Sequence, residues 1–177
     1  RDIWTQEETL RVMDKAAAYG WPIHFPEVSV CSGKPVGEMS YLPGAKNKFT
    51  ETEEDLHWQA DFTKDFYTLV FSHPATEAIS WFDFVDHRWL GAPAGLINDD
   101  LQPKPVYRML MELIHKDWRS DAELRTGTDG SAARRLFFGS YQLEVEAEGA
   151  RHSRTVNLVR PSFYDGGAED LVVRVDL

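Results

Sequence analysis

Two places in the 177-residue sequence hold side chains whose types and spacing could do chemistry. The first is Glu27, near the end of the stretch GWPIHFPEVSV, residues 20–30. Ile23, Phe25, Val28 and Val30 read there as a buried strand, and an ionisable group in such a strand needs a partner or a task. The second is the cluster Trp81, Phe82, Asp83, Asp86, His87, Arg88 and Trp89, at the end of another apolar run. Aromatic faces stack on the apolar faces of sugar rings, and carboxylate and guanidinium groups bind hydroxyls in fixed directions. Each place has a plainer reading. Glu27 can be an ordinary surface residue at a strand end. Trp81 and Phe84 can be core, with Asp83 and Asp86 capping a turn.

Composition narrows the classes. Hydrophobic residues make up 42% and charged residues 27%, the balance of a globular chain. Aromatics reach 12%, with six Trp and ten Phe, and any single one is more often core than ligand surface. The net charge of −10 repels phosphate backbones and argues against a nucleic-acid partner, while leaving a neutral polysaccharide open. Cys31 is the single cysteine, so neither an intrachain disulfide nor a Cys-based zinc site is expected. His24, His57, His73, His87, His115 and His152 show no metal-ligand spacing, and His24 reads as packed or hydrogen-bonded. No metal and no cofactor are expected. No apolar run approaches the roughly eighteen residues of a membrane span, so no membrane association is expected. Arg1 leads straight into a helical pattern without a Met or a visible signal peptide, which reads as a piece of something longer.

The elements that must position these groups alternate. Thr5-Gln6-Glu7-Glu8 fits a capping box, Leu10, Met13 and Ala17 recur at helical spacing, and Gly20 stops the helix. A strand over 22–30 and a long loop over 31–50 follow. A second helix is predicted over 50–72, with Leu56, Ala60, Phe66 and Phe71 on its apolar face and His73-Pro74 ending it. A strand over 78–84 and a second long loop over 85–104 lead to a third helix, about 105–118, with Val106, Leu110, Leu113 and Ile114 on one side. This alternation predicts parallel strands, with both long loops after strand C-terminal ends, where α/β barrels build their active sites. Two strands cannot close a barrel that needs eight.

The tail reads differently. Leu136-Phe137-Phe138, Tyr141–Val145, Thr155–Val159 and Leu171–Val175 are short apolar or alternating runs. Turn signals at Thr128-Asp129-Gly130, Glu148-Gly149 and Asp165-Gly166-Gly167 divide them, which predicts a small antiparallel β unit. A boundary near 119–123 gives a first domain over 1–120 and an appendage over 121–177.

Three stretches in order carry a resemblance. PIHFPEVSV resembles a seventh barrel strand. QADFTKDFYTLVFSHPATEAISWFDFVD resembles the following helix and an eighth strand that usually shows Trp-Gly-x-x-Asp. WLGAPAGLINDDLQPKPVYRMLMELI resembles the closing loop and a Pro-Lys-Pro-x-Tyr opening of the last helix. Over residues 1–118 the chain resembles the C-terminal part of glycoside hydrolase family 10, the retaining endo-β-1,4-xylanases. The resemblance implies the last portion of a (β/α)8 barrel, strands seven and eight with their helices, followed by a small antiparallel β domain. It implies a xylan-like polysaccharide substrate, the remaining strands supplied by the rest of a chain or by a partner chain, and a secreted, cell-surface or periplasmic location.

Carried over residue by residue, Glu27 falls on the catalytic nucleophile. Phe82 falls where a cleft Trp is usual, Asp86 on the Asp of the eighth-strand motif, and Trp89 on the loop aromatic covering the sugar beside the nucleophile. Arg88 is a weaker hydroxyl contact, and Trp81 joins the substrate-binding set through the aromatic cluster. A retaining glycosidase holds two carboxyl groups about 5–5.5 Å apart, one nucleophile and one acid/base. The family's acid/base lies in an Asn-Glu-Pro motif on the fourth strand, and this sequence contains no Asn-Glu pair. Glu38, Glu51 and Asp83 lack that context. Pro26 stands in place of Thr, Ser29 in place of an orienting Asp, and Phe82 loses the indole N–H. The expectation is a hydrolase fragment inactive by itself. The alternatives are a non-catalytic carbohydrate-binding protein on a degenerate barrel, or a related barrel enzyme acting on glucan or mannan.

Overall fold

The computed structural model describes residues 5–159 and 172–174. The chain divides into two compact units, Arg1–His115 and Lys116–Leu177.

In the first unit, helix α1 (Gln6–Ala17) begins as its sequence dictates. The Thr5 side chain accepts from the Glu8 N–H, and the Glu8 carboxylate accepts from the Thr5 N–H at 2.8 Å. Met13 and Ala17 are buried, and Gly20 leaves the helix with φ of 85°. Strands β1 (Ile23–Val28) and β4 (Thr76–Trp81) then pair in parallel, as the alternation predicts. The intervening segment adds a minimal antiparallel pair, β2 (Lys34–Pro35) with β3 (Phe49–Thr50), inside what the sequence reads as loop.

Helix α2 (Glu53–Ser72) starts two residues later than Thr50 would place it, because Thr50 is engaged in β3 and Thr52 forms the cap instead. The Thr52 hydroxyl accepts from the Asp55 N–H, and the same hydroxyl holds the Asp55 carboxyl below the usual carboxylate range. The buried stripe runs through Gln59, Ala60, Thr63, Tyr67 and Val70, at helical spacing. Phe71, expected on that face, is exposed.

β4 ends at Trp81 rather than at Phe84. The returning loop captures the next backbone groups: Leu96 and Ile97 N–H both donate to the Phe84 carbonyl at 3.0 Å, and Asp86 N–H donates to the Ile97 carbonyl. Helix α3 (Pro105–Glu112) carries Pro105 in its first turn and widens into a π-helical turn over Leu113–Asp117. Val106, Leu110 and Leu113 are buried as expected, but Ile114 is exposed.

Within the first unit, the described residues form two two-stranded sheets, β1 with β4 and β2 with β3, and helices pack on the first of these rather than a closed barrel forming. An apolar cavity of about 380 Å³ lies between α1, β1 and α2, walled by Met13, Ile23, Phe25, Phe62 and Phe66. No helix among the described residues is long and apolar enough to cross a membrane.

In the second unit, β5 (Gly139–Ala147) and β6 (Ala150–Leu158) form one antiparallel hairpin. Glu148 and Gly149, with φ of 50° and 80°, make the two-residue turn whose twist matches the strands. Leu136-Phe137-Phe138 is not a strand. Of the run Leu171–Val175, residues 172–174 carry no regular structure, and the rest lies outside the described residues, as does the turn Asp165-Gly166-Gly167.

Candidate functional site

The site forms where β1 and β4 end. Pro26 has no N–H to give the ladder, and the register slips by one residue between Phe25 and Val28. Such a bulge re-aims side chains. Phe25 packs edge-on against Phe66 of α2 at 5.9 Å and Val28 is buried, which leaves Glu27 exposed between two inward-facing residues. Beyond the ladder, Phe82 N–H donates to the Val28 carbonyl at 2.9 Å, so Phe82 stays fastened to the strand end that carries Glu27.

Trp89 comes to the same place from the second loop. His87 and Leu90 both sit in the left-handed region, at φ of 62° and 51°, and Gly91 follows at 74°. Non-glycine residues there cost of the order of 1–3 kcal/mol each, so the fold must hold them. It does so with His87 N–H to the Ala92 carbonyl (2.8 Å), Ala92 N–H to the Trp89 carbonyl (2.9 Å), and a 2.7 Å pairing of the His87 ring with Asp99. The turned-out Trp89 ring meets Phe82 in a T-shaped contact, with centroids 6.1 Å apart. Phe82 is 45% exposed and Trp89 is 49% exposed, so the pair is a surface rather than a core contact. Arg88 is exposed on the same loop.

The two long loops are clasped by one amide. The Asn47 side-chain nitrogen donates to the Leu90 carbonyl at 3.1 Å and to the Ser40 carbonyl at 3.0 Å, and Asn47 N–H also reaches Leu90. Gly91 is required beside this clasp. A Cβ there would meet the Asn47 carbonyl oxygen at 2.6 Å, on a backbone already at positive φ. Gly91→Ala is expected to destabilise the chain by about 1–3 kcal/mol in urea unfolding; an unchanged midpoint would show that the loops part without cost.

Trp81 and Asp86 stand apart from this surface. The Trp81 ring packs against Tyr67 of α2, and its indole N–H donates to the Ala94 carbonyl at 3.1 Å. Asp86 is 2% exposed and accepts from Lys104 Nζ at 2.9 and 3.0 Å and from Gly95 N–H at 2.7 Å. The polar atoms of both groups are therefore engaged within the fold: the Trp81 indole N–H by Ala94, the Asp86 carboxylate by Lys104 and Gly95.

Buried Lys104 and Ser32, with the more exposed Glu51, complete a polar cluster that sequence reasoning missed. Lys104 Nζ also donates to the Ser32 hydroxyl at 3.1 Å and lies 3.5 Å from Glu51, and the Ser32 hydroxyl contacts both Glu51 and the Pro93 carbonyl. A signal was present: a lysine between two prolines at a helix start opposes the helix dipole and so calls for an acidic partner. Burial pushes the Asp86 carboxyl up, against the opposing pull of Lys104 and of the Gly95 N–H. Burial likewise raises Asp83, which the Ser29 hydroxyl partly offsets. His24 pairs with Glu77 at 2.5 Å across the strands. Among the described residues no three His, Cys, Asp or Glu side chains gather as a metal site.

No family model matches the chain. Over 123 residues it is 29% identical to the anti-sigma-I factor RsgI6 of Acetivibrio thermocellus, an alignment covering 68% of this chain and 16% of that protein. In three dimensions part of the chain is similar to xylanase 10B of Thermotoga petrophila RKU-1, solved with xylobiose. That match has a TM-score of 0.49 and 21% identity, over 64% of this chain and 33% of that one. It is also similar to xylanase B of Clostridium stercorarium F9, with a TM-score of 0.47 and 14% identity, over 62% of this chain and 33% of that one. The chain thus spans about a sixth of the curated relative's length and about a third of each xylanase.

Proposed function

We propose that this chain supplies part of the cleft of a retaining glycoside hydrolase acting on a β-1,4-xylan-type polysaccharide. Glu27 is the nucleophile, which attacks the anomeric carbon as the glycosidic bond breaks and forms a glycosyl ester. Phe82 and Trp89 provide the aromatic faces against which sugar rings lie, and Arg88 contacts hydroxyls. Trp81 and Asp86 act behind this surface, fixing the loop that presents Trp89. The proton for the departing sugar comes from an acid/base outside these residues, so the chain by itself binds without turning over. The remaining barrel strands come from further sequence or from a partner chain. Such an enzyme works where the polymer is, outside the cytoplasm.

The observation that carries this reading is the half-exposed Phe82–Trp89 pair, fastened to the strand end that bears Glu27. Calorimetric titration of the chain with xylohexaose tests it. Trp89→Ala is expected to weaken binding roughly tenfold, the scale of one aromatic stacking contact. Unchanged affinity in Trp89→Ala, or no binding by the parent chain, overturns the reading.

A second reading has an observation of its own. The curated relative is named an anti-sigma-I factor, and this sequence lacks an Asn-Glu pair and places Pro26 beside Glu27. A surface that binds polysaccharide without cleaving it fits those features.

A further inference from the structure

The loop over 31–50 carries two adjacent large side chains in open solvent. Tyr41 is 73% exposed and Leu42 is 72% exposed. Single exposed apolar groups need no explanation, but a neighbouring pair on a fastened loop is a different matter. The fastening is local and specific. Ser40 N–H donates to the Asn47 side-chain oxygen at 2.8 Å, while the Asn47 nitrogen reaches the Ser40 carbonyl. Within that ring, Ala45 N–H donates to the Leu42 carbonyl, and Gly44 turns the chain at φ of 79°. Tyr41 is therefore presented by a held segment, and a held aromatic loses less freedom on binding than one on a loose tail.

The same Asn47 nitrogen that bonds the Ser40 carbonyl bonds the Leu90 carbonyl. Two bonds to one atom put those oxygens within roughly 6 Å of each other. Tyr41 follows Ser40 in the chain, and Trp89 precedes Leu90. Their backbones consequently lie within roughly 15 Å, the span of a short oligosaccharide.

We propose that Tyr41 is a second sugar-stacking platform, continuous with the Phe82–Trp89 surface, which takes a further residue of a β-linked polysaccharide. This rests on the proposed glycan-binding role of Trp89 and extends it to a second subsite. A polysaccharide is the occupant because the two surfaces share one clasp and one chemistry, exposed aromatic faces on a chain whose net charge of −10 disfavours anionic ligands.

The test titrates the chain with xylobiose and with xylohexaose. Tyr41→Ala is expected to weaken xylohexaose binding roughly five- to tenfold while leaving xylobiose binding at the Trp89 surface unchanged. Tyr41→Phe keeps the face and is expected to restore the longer ligand's affinity. Trp89→Ala weakens both ligands. Tyr41 is exposed, so its variants keep the parent's circular dichroism and melting midpoint, which excludes misfolding as the cause. Equal affinity of Tyr41→Ala and the parent chain for xylohexaose overturns this subsite and leaves the Trp89 reading standing. Failure of the parent to bind either sugar overturns both. A mass in sedimentation equilibrium that rises with concentration and is restored to monomer by Tyr41→Ala assigns the patch to a second copy of the chain and overturns the subsite.

Discussion

Replacing Lys104 by Met costs this fold about 3–5 kcal/mol in urea unfolding, the toll of leaving one member of a buried ion pair without the other. Lys104 is 4% exposed and its ammonium is surrounded by Asp86, Ser32, Glu51 and the Pro93 carbonyl. Methionine fills a similar volume, so the loss isolates the charge rather than a cavity. The double variant Lys104→Met with Asp86→Leu recovers much of that stability, because no fully buried carboxylate is left without its ammonium, and the remaining Glu51 reaches solvent. It does not recover all of it, since the Gly95 N–H bonded to Asp86 loses its acceptor, at about 1–3 kcal/mol.

The pH dependence of the single variant separates this cause from a packing defect. Without Lys104, burial acts on Asp86 unopposed by the ammonium and moves its carboxyl further above the ordinary carboxylate value. The folded state then binds more protons than the unfolded state between those two values. Stability therefore falls as pH rises through that window and grows as pH falls. The variant's deficit narrows on acidification. A deficit that stays constant with pH, or one below about 1 kcal/mol at neutral pH, would show that the pair is not the fastening described here.

Glu27→Gln carries the second large effect. In a protein that joins this chain to an acid/base and the missing strands, the change is expected to lower xylan turnover by roughly 10⁴-fold or more, the scale seen when a nucleophile is removed from an intact site. Glutamine preserves shape and exposure but cannot form the glycosyl ester. Affinity for xylohexaose is expected to change little, because on the proposed reading Phe82 and Trp89 supply the contact area. Turnover that survives the substitution removes Glu27 from the nucleophile's role. Binding without any turnover in the parent, in a protein with all its strands, favours the non-catalytic reading.

Much of the local structure was legible in short-range chemistry. The capping box at Thr5, the stop at Gly20 and the Glu148-Gly149 turn each depend on neighbours within four residues. The start of α2 was misread because Thr50 and Thr52 both offer a hydroxyl with an acidic residue nearby, and only the pairing of Thr50 with Lys34 decides between them. The end of β4 was misread for a related reason. Phe82, Asp83 and Phe84 look like strand, but the backbone at Phe84 is taken by Leu96 and Ile97.

At the site, the neighbours Trp81 and Phe82 part where β4 ends. The structure sends Trp81 to Tyr67 and Phe82 to Trp89. The burial of Asp86 was hidden because its lysine lies eighteen residues further along the chain. The placing of Phe82 and Trp89 beside the Glu27 strand end followed from the resemblance, while alternation gave only parallel strands with long loops after their C-terminal ends. The clasp through Asn47 did not, since nothing about an asparagine in a polar loop announces which carbonyls it will choose.

That clasp has an evolutionary consequence. Because Asn47 ties back to Ser40, residues 41–46 form a bight whose two ends are stapled together, independent of what lies between. Lengthening such a bight costs little, as closure entropy grows only logarithmically with chain length. Insertions after Tyr41 can therefore accumulate at this tip while the Leu90 carbonyl stays pinned, making it a place where relatives diversify in length without disturbing the tryptophan next door.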